Sequence, residues 1–299
     1  MKRCFTLFSV VLLTVLCFSQ FRVESIKEIA DKGSQPLLSP KGDYILVRSA
    51  GETGLTKIDL KTGEKTNILN DDNLTGDIQI SDGGSTIAYC QTEYRDHFRY
   101  NIIKSVNLST KEIKNLDEPT REVNGFNFAG GKVKIGKKNK VRSVRLLNDI
   151  RNIEHEYIVA VEDGDLVLYD GNSRKVLNPN GKDTYLWQRL SPDKKSIVYV
   201  AINDKCHTFI YDIISGKTTD LGYYIGAPAW MGNEWIIGQQ DEDDGYQMTS
   251  SRLVAIRIDG TQFQVIPTPE QSMPINPSAS IDGKIAFESE GKVFLMEIR

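Results

Sequence analysis

The sequence predicts an all-β chain, a six-bladed β-propeller in which an N-terminal strand completes the last blade. Three observations predict it. A strand–turn–strand segment recurs six times at an average spacing of about 48 residues, a second turn leads into an apolar run upstream of most copies, and no stretch after residue 20 keeps helical periodicity for three turns.

The chain opens with a segment of another kind. Lys2 and Arg3 precede an apolar run from Phe5 to Phe18, followed by the small residue Ser19. A basic start, a short apolar centre and a small residue read as a secretory signal peptide over residues 1–20, which starts the mature chain around Phe21. Cys17 offers a rival, lipoprotein processing, but Leu16 precedes it where such sites use a small residue. No later run is long and apolar enough to cross a bilayer as a helix. The expectation is a periplasmic or secreted protein with no transmembrane span in the mature chain, lipid anchoring through Cys17 being the lesser alternative.

The recurring segment begins with Ile58-Asp59-Leu60-Lys61-Thr62-Gly63-Glu64 and continues through Thr66 to Leu69. Its further copies centre on Asn107, Val167, Asp212, Arg257 and Glu297, in steps of 48, 60, 45, 45 and 40 residues; the sixth stops at the C-terminus before its turn. A period of about 40–50 residues built from short strands and turn residues is that of propeller blades with about four strands each.

The upstream element is a turn followed by an apolar strand. Ser39-Pro40-Lys41-Gly42 leads into Tyr44–Val47, Ser81-Asp82-Gly83-Gly84 into Thr86–Tyr89, Ser191-Pro192-Asp193-Lys194 into Ile197–Val200, and Ser280-Ile281-Asp282-Gly283 into Ile285–Phe287. Pro presets φ, Asp and Gly accept the tight turn, and the β-branched and aromatic run is a strand buried on both faces. The blades are expected at about 36–70, 77–117, 124–178, 186–222, 227–267 and 277–299. Val23–Ile29 alternates apolar and polar residues, and placed in the last blade with residues 22–30 it would cover the open edge there, for 24 strands in one domain over 21–299.

Ser-Pro-Asp-Gly-like turns before an apolar strand, repeated at this spacing, resemble the WD40-like repeats of TolB-type six-bladed propellers. TolB itself carries a separate N-terminal α/β domain, whereas here the first blade begins within about twenty residues of the leader. The resemblance therefore implies a propeller-only relative of bacterial envelope type, without TolB's own role in the Tol–Pal system.

Composition narrows the function classes. The 299 residues hold 37 Lys+Arg against 40 Asp+Glu, with 39% hydrophobic residues, which excludes a disordered chain and gives no overall case for nucleic acid as partner. Cys90 and Cys206, in blades two apart, are expected as free buried thiols. There is no G-x-S-x-G elbow, H-E-x-x-H, C-x-x-C or phosphate loop, and His97, His155 and His207 fall in separate blades. Gln240 to Gly245 is acidic like a calcium loop, but the position that should hold a bidentate Glu is Ser251, so it reads as a solvated turn. Seven basic residues between Lys132 and Arg145 read as a charged hairpin that protects an edge; they fall in the 60-residue step, as an insertion in blade three would. No catalytic residue, metal or cofactor is expected.

Second-to-third-strand loops share a propeller face with the connections between blades, and ligands gather there. The longest are Gln91–Tyr100 and Gln239–Ser250. They nominate Tyr94, Arg95, His97, Phe98, Tyr100, Asp241, Asp244 and Tyr246, with Tyr224 on a neighbouring connection, because exposed aromatic and Arg side chains anchor partners. The competing reading has Phe98 and Tyr100 begin the next strand and pack inward. Trp187, Trp230 and Trp235 are expected as packing between blades. The leading expectation is a monomeric, non-catalytic scaffold for a protein or peptide of the cell envelope; the alternative is a glycan-binding or glycan-active propeller.

Overall fold

A computed structural model describes residues 21–49, 51, 53–70, 73–74, 76–137, 140–146, 156–202 and 204–299. The expected leader, Cys17 and His155 lie outside them. Among the described residues no helix is long and apolar enough to cross a membrane.

Strand β1 (Val23–Ala30) precedes seven sheets arranged as blades. Blade one is β2 (Ser34–Leu38), β3 (Tyr44–Arg48), β4 (Leu55–Asp59) and β5 (Lys65–Leu69). Blade two is β6 (Ile78–Ile80), β7 (Thr86–Arg95), β8 (Phe98–Asn107) and β9 (Ile113–Asn115). Blade three has β10 (Gly125–Ala129), β11 (Lys132–Lys137) and β12 (Lys140–Arg145), and blade four β13 (Tyr157–Glu162), β14 (Asp165–Asp170) and β15 (Ser173–Val176). Blade five is β16 (Thr184–Leu190), β17 (Ser196–Ile202), β18 (Cys206–Asp212) and β19 (Thr218–Asp220). Blade six is β20 (Gly226–Met231), β21 (Trp235–Asp243), β22 (Met248–Arg257) and β23 (Phe263–Ile266). Blade seven joins β24 (Ile275–Ala279), β25 (Lys284–Ser289) and β26 (Lys292–Ile298) to β1.

The two repeated turns follow from side chains that replace missing backbone partners. Before the second strand, the Ser39, Ser81 and Ser191 hydroxyls accept from the backbone N–H of Asp43, Thr86 and Ser196 at 3.0, 3.1 and 2.9 Å. These serines are buried, so Ala there would leave N–H groups unsatisfied. Between the third and fourth strands, one carboxylate or amide oxygen closes an Asx turn. Asp59 accepts from Thr62 N–H at 2.8 Å, Asn107 from Thr110 at 3.0 Å, Asp212 from Ser215 at 2.7 Å and Asp259 from Thr261 at 3.0 Å. The four apolar runs after the serine turns are buried throughout, as strands covered on both faces must be.

The ring has seven blades, and the expected count of six is corrected. The region expected as one blade, 124–178, is two three-stranded sheets. The third motif copy, Leu166–Asn172, still forms a strand and turn at β14, but β12 and β13 are inserted between it and β11. Consistent with that insertion, β13 runs against its inner neighbour β10. Asn124, just before β10, donates to Glu162 at the far end of β13 at 2.6 Å, while Tyr157 at the start of β13 lines one cavity with Ala129 at the end of β10. One inserted hairpin's length of chain thus opens a blade into two while the sequence repeat stays at six.

The core lies between blades. Seven apolar clusters among the described residues each fill one interface, for example Leu46, Leu55, Ile87 and Tyr89 between blades one and two, and Ile45, Val47, Ala286 and Val293 between blades one and seven. The smallest joins blades three and four, with Ile158, Val167 and Tyr169 against Val141. Polar contacts supplement it: buried Glu162 accepts from Asn124, Tyr169 and Arg174. The basic stretch is internally matched as well as edge-forming. Lys132 and Lys134 pair with Glu156, and Lys137 and Arg142 with buried Asp117. Cys90 and Cys206 are both free, in blades two and five, and Cys206 is half-buried.

Closure is antiparallel pairing of β1 on β26, from Val23↔Ile298 to Ala30↔Val293. The Gln264 side chain brackets Phe21, accepting from its N–H at 2.7 Å and donating to its carbonyl at 2.6 Å, while the Phe21 ring meets Trp235 edge-on at 4.6 Å.

A chain beginning at Asp31 exposes the β26 edge and uncovers the apolar cluster beneath β1; it is predicted to aggregate and to lose the single cooperative thermal transition, read by circular dichroism and light scattering. Burial pushes the Glu156 carboxyl up, but its bonds to Lys132 and Lys134 outweigh this and hold it below its ordinary 4.5. The resulting stabilisation is present above pH 4.5 and is lost as pH falls through the lower folded value. Glu156→Gln should therefore lower stability at neutral pH and flatten the loss below pH 4.5 in denaturant titrations.

Candidate functional site

The two stretches expected as long loops are extended hairpins. In blade two, β7 and β8 pair in register out to Arg95↔Phe98, leaving only Asp96 and His97 as the turn, both with left-handed φ (48° and 65°). A two-residue turn of this kind matches strand twist, so the ladder continues to the tip. Directly opposed residues share a face: Glu93, Arg95, Phe98 and Tyr100 lie on one side and Tyr94 and Arg99 on the other. Phe98 does begin the next strand, but it is half exposed and covered by the Arg121 guanidinium at 4.7 Å from its ring, and Arg95 sits 5.6 Å from the Tyr100 ring and pairs with Glu93. Tyr94 is 68% exposed on the opposite face.

In blade six, β21 and β22 pair out to Asp243↔Met248. The acidic residues are held by local bonds. Asp241 accepts from Gln239 and from the Ser251 hydroxyl, each at 2.8 Å, Glu242 from Ser250 at 3.0 Å, and Asp243 from the Gly245 N–H at 2.9 Å. Asp244 caps the tip, accepting from the N–H groups of Gln247 and Tyr246 at 2.9 Å, and these bonds hold its carboxyl below the usual carboxylate range. Among the described residues no group of three His, Cys, Asp or Glu side chains is placed to hold a metal ion.

This hairpin forms one wall of a cleft of 730 Å³ against blade five. Leu186, Ile202 and Cys206 line the blade-five side, and Asp241, Asp243, Tyr246 and Met248 the blade-six side, with Tyr224 from the connection between them. Burial and then the nearby Asp241 carboxylate push the Tyr224 phenol up to about 12, so it stays neutral. Burial likewise pushes the Cys206 thiol up. Tyr246 is 98% exposed at the rim. The structure thus brings Tyr224, Asp241 and Tyr246 together with Asp244 at the adjoining tip, and leaves Tyr94, Arg95, His97, Phe98 and Tyr100 on a separate hairpin, blades one and seven lying between on the shorter way round.

Sequence reasoning missed Trp187. Trp230 packs between blades as expected, donating from Nε1 to the Arg189 carbonyl at 3.2 Å, and Trp235 packs against Phe21. Trp187 instead is exposed, with a left-handed φ of 51° and its ring 6.0 Å from that of Tyr224. Four inner strands carry the same bulge, with the left-handed residue at Gln35, Trp187, Ala227 and Asn276. Pro follows in the other three blades but Gln188 in blade five, and that departure from the repeat was the available signal.

Charged side chains meet where blades two and five face each other. Asp77 of blade two and Arg189 of blade five approach to 3.9 Å, and both border two adjoining cavities. Lys194 lines the first of these with a left-handed φ of 62°, at the turn position held by Gly42, Gly84 and Gly283 in other blades. Burial pushes its ammonium down, partly offset by Asp82 and Asp193.

No protein-family model and no curated protein matches this sequence. Solved structures do match in shape. TolB from Acinetobacter baumannii aligns with a TM-score of 0.57 and 18% identity over 85% of this chain and 57% of that one, so the chain spans little more than half of TolB. The WD40 propeller domain of Doa1 aligns at 0.64 with 12% identity, covering 94% and 98% of the two chains. The GH74 enzyme of Niastella koreensis aligns at 0.61 with 10% identity, over 91% of this chain and 53% of that one. What they share is the β-propeller fold. It supports the propeller part of the TolB resemblance, with seven blades here in place of six.

Asp244→Ala removes the cap from the blade-six tip. Hydrogen exchange should show the Tyr246 and Gln247 amides exchanging faster, with the melting temperature unchanged, because the tip lies outside the packed core.

Proposed function

We propose that this chain is a non-catalytic, exported propeller that binds a protein or peptide segment of the cell envelope on the face carrying the long hairpins, with the cleft between blades five and six as its principal site. One observation carries the reading: a fully exposed Tyr246 stands over an open cleft walled by Leu186, Ile202 and Met248. Exposed aromatic and aliphatic side chains beside a groove are what a partner's side chains bury against, whereas isolated surface apolar residues need no explanation. Two features support a binding role over a catalytic one. The carboxylates near the cleft are engaged in bonds within their own hairpin, and the Cys206 thiol is shifted away from the reactive thiolate. Propellers of like shape include an enzyme, so the fold does not choose between these roles and the site must.

The test is a photocrosslinking residue placed at Tyr246 and, as control, at Lys61 on the opposite face, in cells that export the protein. A discrete protein adduct at 246 and none at 61 is expected. Equal smears at both positions, or an adduct that glycosidases remove and proteases do not, would overturn the reading, the second outcome in favour of a glycan ligand.

A further inference from the structure

Within the peptide-binding reading, on which this rests, we infer that the cleft between blades five and six receives a lysine or arginine side chain of the partner segment. Among the described residues its lining contains two carboxylates, Asp241 and Asp243, and no cationic side chain. Leu186, Ile202, Met248, Tyr224 and Tyr246 supply most of the rest, with Cys206, Gly245 and Gln247 completing it. A lysine or arginine side chain has this composition in reverse: an alkyl stem that packs along Leu186, Ile202 and Met248, and a charged head that meets carboxylates.

Two aromatic groups add to the match. Tyr224 lines the cleft and is held neutral, and Trp187 lies behind it at 6.0 Å. Indole and phenol faces attract cations, most strongly where water is displaced. The identity of Trp187 is itself informative. At the equivalent bulge the other blades place Gln35, Ala227 or Asn276, each followed by Pro, whereas blade five exposes an indole from a left-handed backbone that bulky residues rarely adopt. The residue is 38% exposed, with its ring set against that of Tyr224. A cationic guest lying between Tyr224 and the blade-six carboxylates would use both groups, with the Trp187 ring bracing Tyr224 from outside the lining. Asp241 is already oriented by Gln239 and Ser251, so its ordering precedes binding.

The experiment is fluorescence anisotropy with the mature protein and two labelled ten-residue probes of alternating leucine and glycine. One carries two lysines and the other the same two lysines acetylated, which keeps the stem and removes the charge. The lysine probe should bind at least tenfold more tightly than the acetylated one. The Asp241→Asn/Asp243→Asn pair should abolish that preference, and Trp187→Ala should weaken the lysine probe severalfold while leaving the acetylated probe little changed. Asp259→Asn, an acidic change in a turn on the opposite face, should have no effect, and thermal melts of each variant confirm folding. Equal binding of both probes, or an equal loss with Asp259→Asn, would overturn the cationic inference and leave the peptide-binding reading standing. If neither probe binds, the inference falls, and the crosslink at Tyr246 decides the broader reading independently.

Discussion

The structure depends on the closing of a ring. Each blade has two apolar faces, and neither is buried until a neighbour covers it, so a row of blades with free ends leaves two faces in water. The pairing of β1 with β26 removes those ends, and the cluster of Ile45, Val47, Ala286 and Val293 is buried only because blade one meets blade seven. Closure here is by hydrogen bonds and apolar packing, with no disulfide among the described residues. The Gln264 bracket on Phe21 and the Phe21–Trp235 contact extend the latch to the first described residue. The first and last described strands are therefore part of the core.

Closure explains how the ring admits an irregular sector. Once every interface must be filled, a blade can be divided provided that each half still covers its neighbour. Blades three and four manage this with three strands each, and the small cluster between them is supplemented by Glu162 and its three donors. A buried carboxylate is costly unless several donors surround it. The matched charges of Glu156 and Asp117 follow the same rule, and they turn a stretch that reads as a basic surface into paired structure.

The two faces of the disc divide the labour. One carries serine and Asx turns whose side chains are consumed in holding the backbone. The other carries hairpins that outrun the blades, and those in blades two and six place aromatic and charged side chains beyond the packed core. Blade six stands beside a neighbour that leaves room, and the cleft forms there, while the blade-two hairpin is braced by its own Arg95 and by Arg121.

Local chemistry was legible in the sequence. The Asp59, Asn107, Asp212 and Asp259 turns, the serine turns and the buried strands after them are short-range consequences of residue type, and their spacing announced blades. The blade-two hairpin was legible as a position but not as paired strands, because a two-residue turn with left-handed Asp96 and His97 carries no glycine to mark it. The number of blades was decided elsewhere. β12 and β13 lack the repeated motif, so counting motifs could not count sheets, and which inserted strand reaches the ring interior depends on the space that closure leaves. The cleft had the same origin: Tyr224, Asp241 and Tyr246 belong to one blade and its entry, but Leu186, Ile202 and Trp187 come from another. Only tertiary packing sets the distance between blades, and residues some forty to sixty positions apart in the chain meet because two sheets stand side by side.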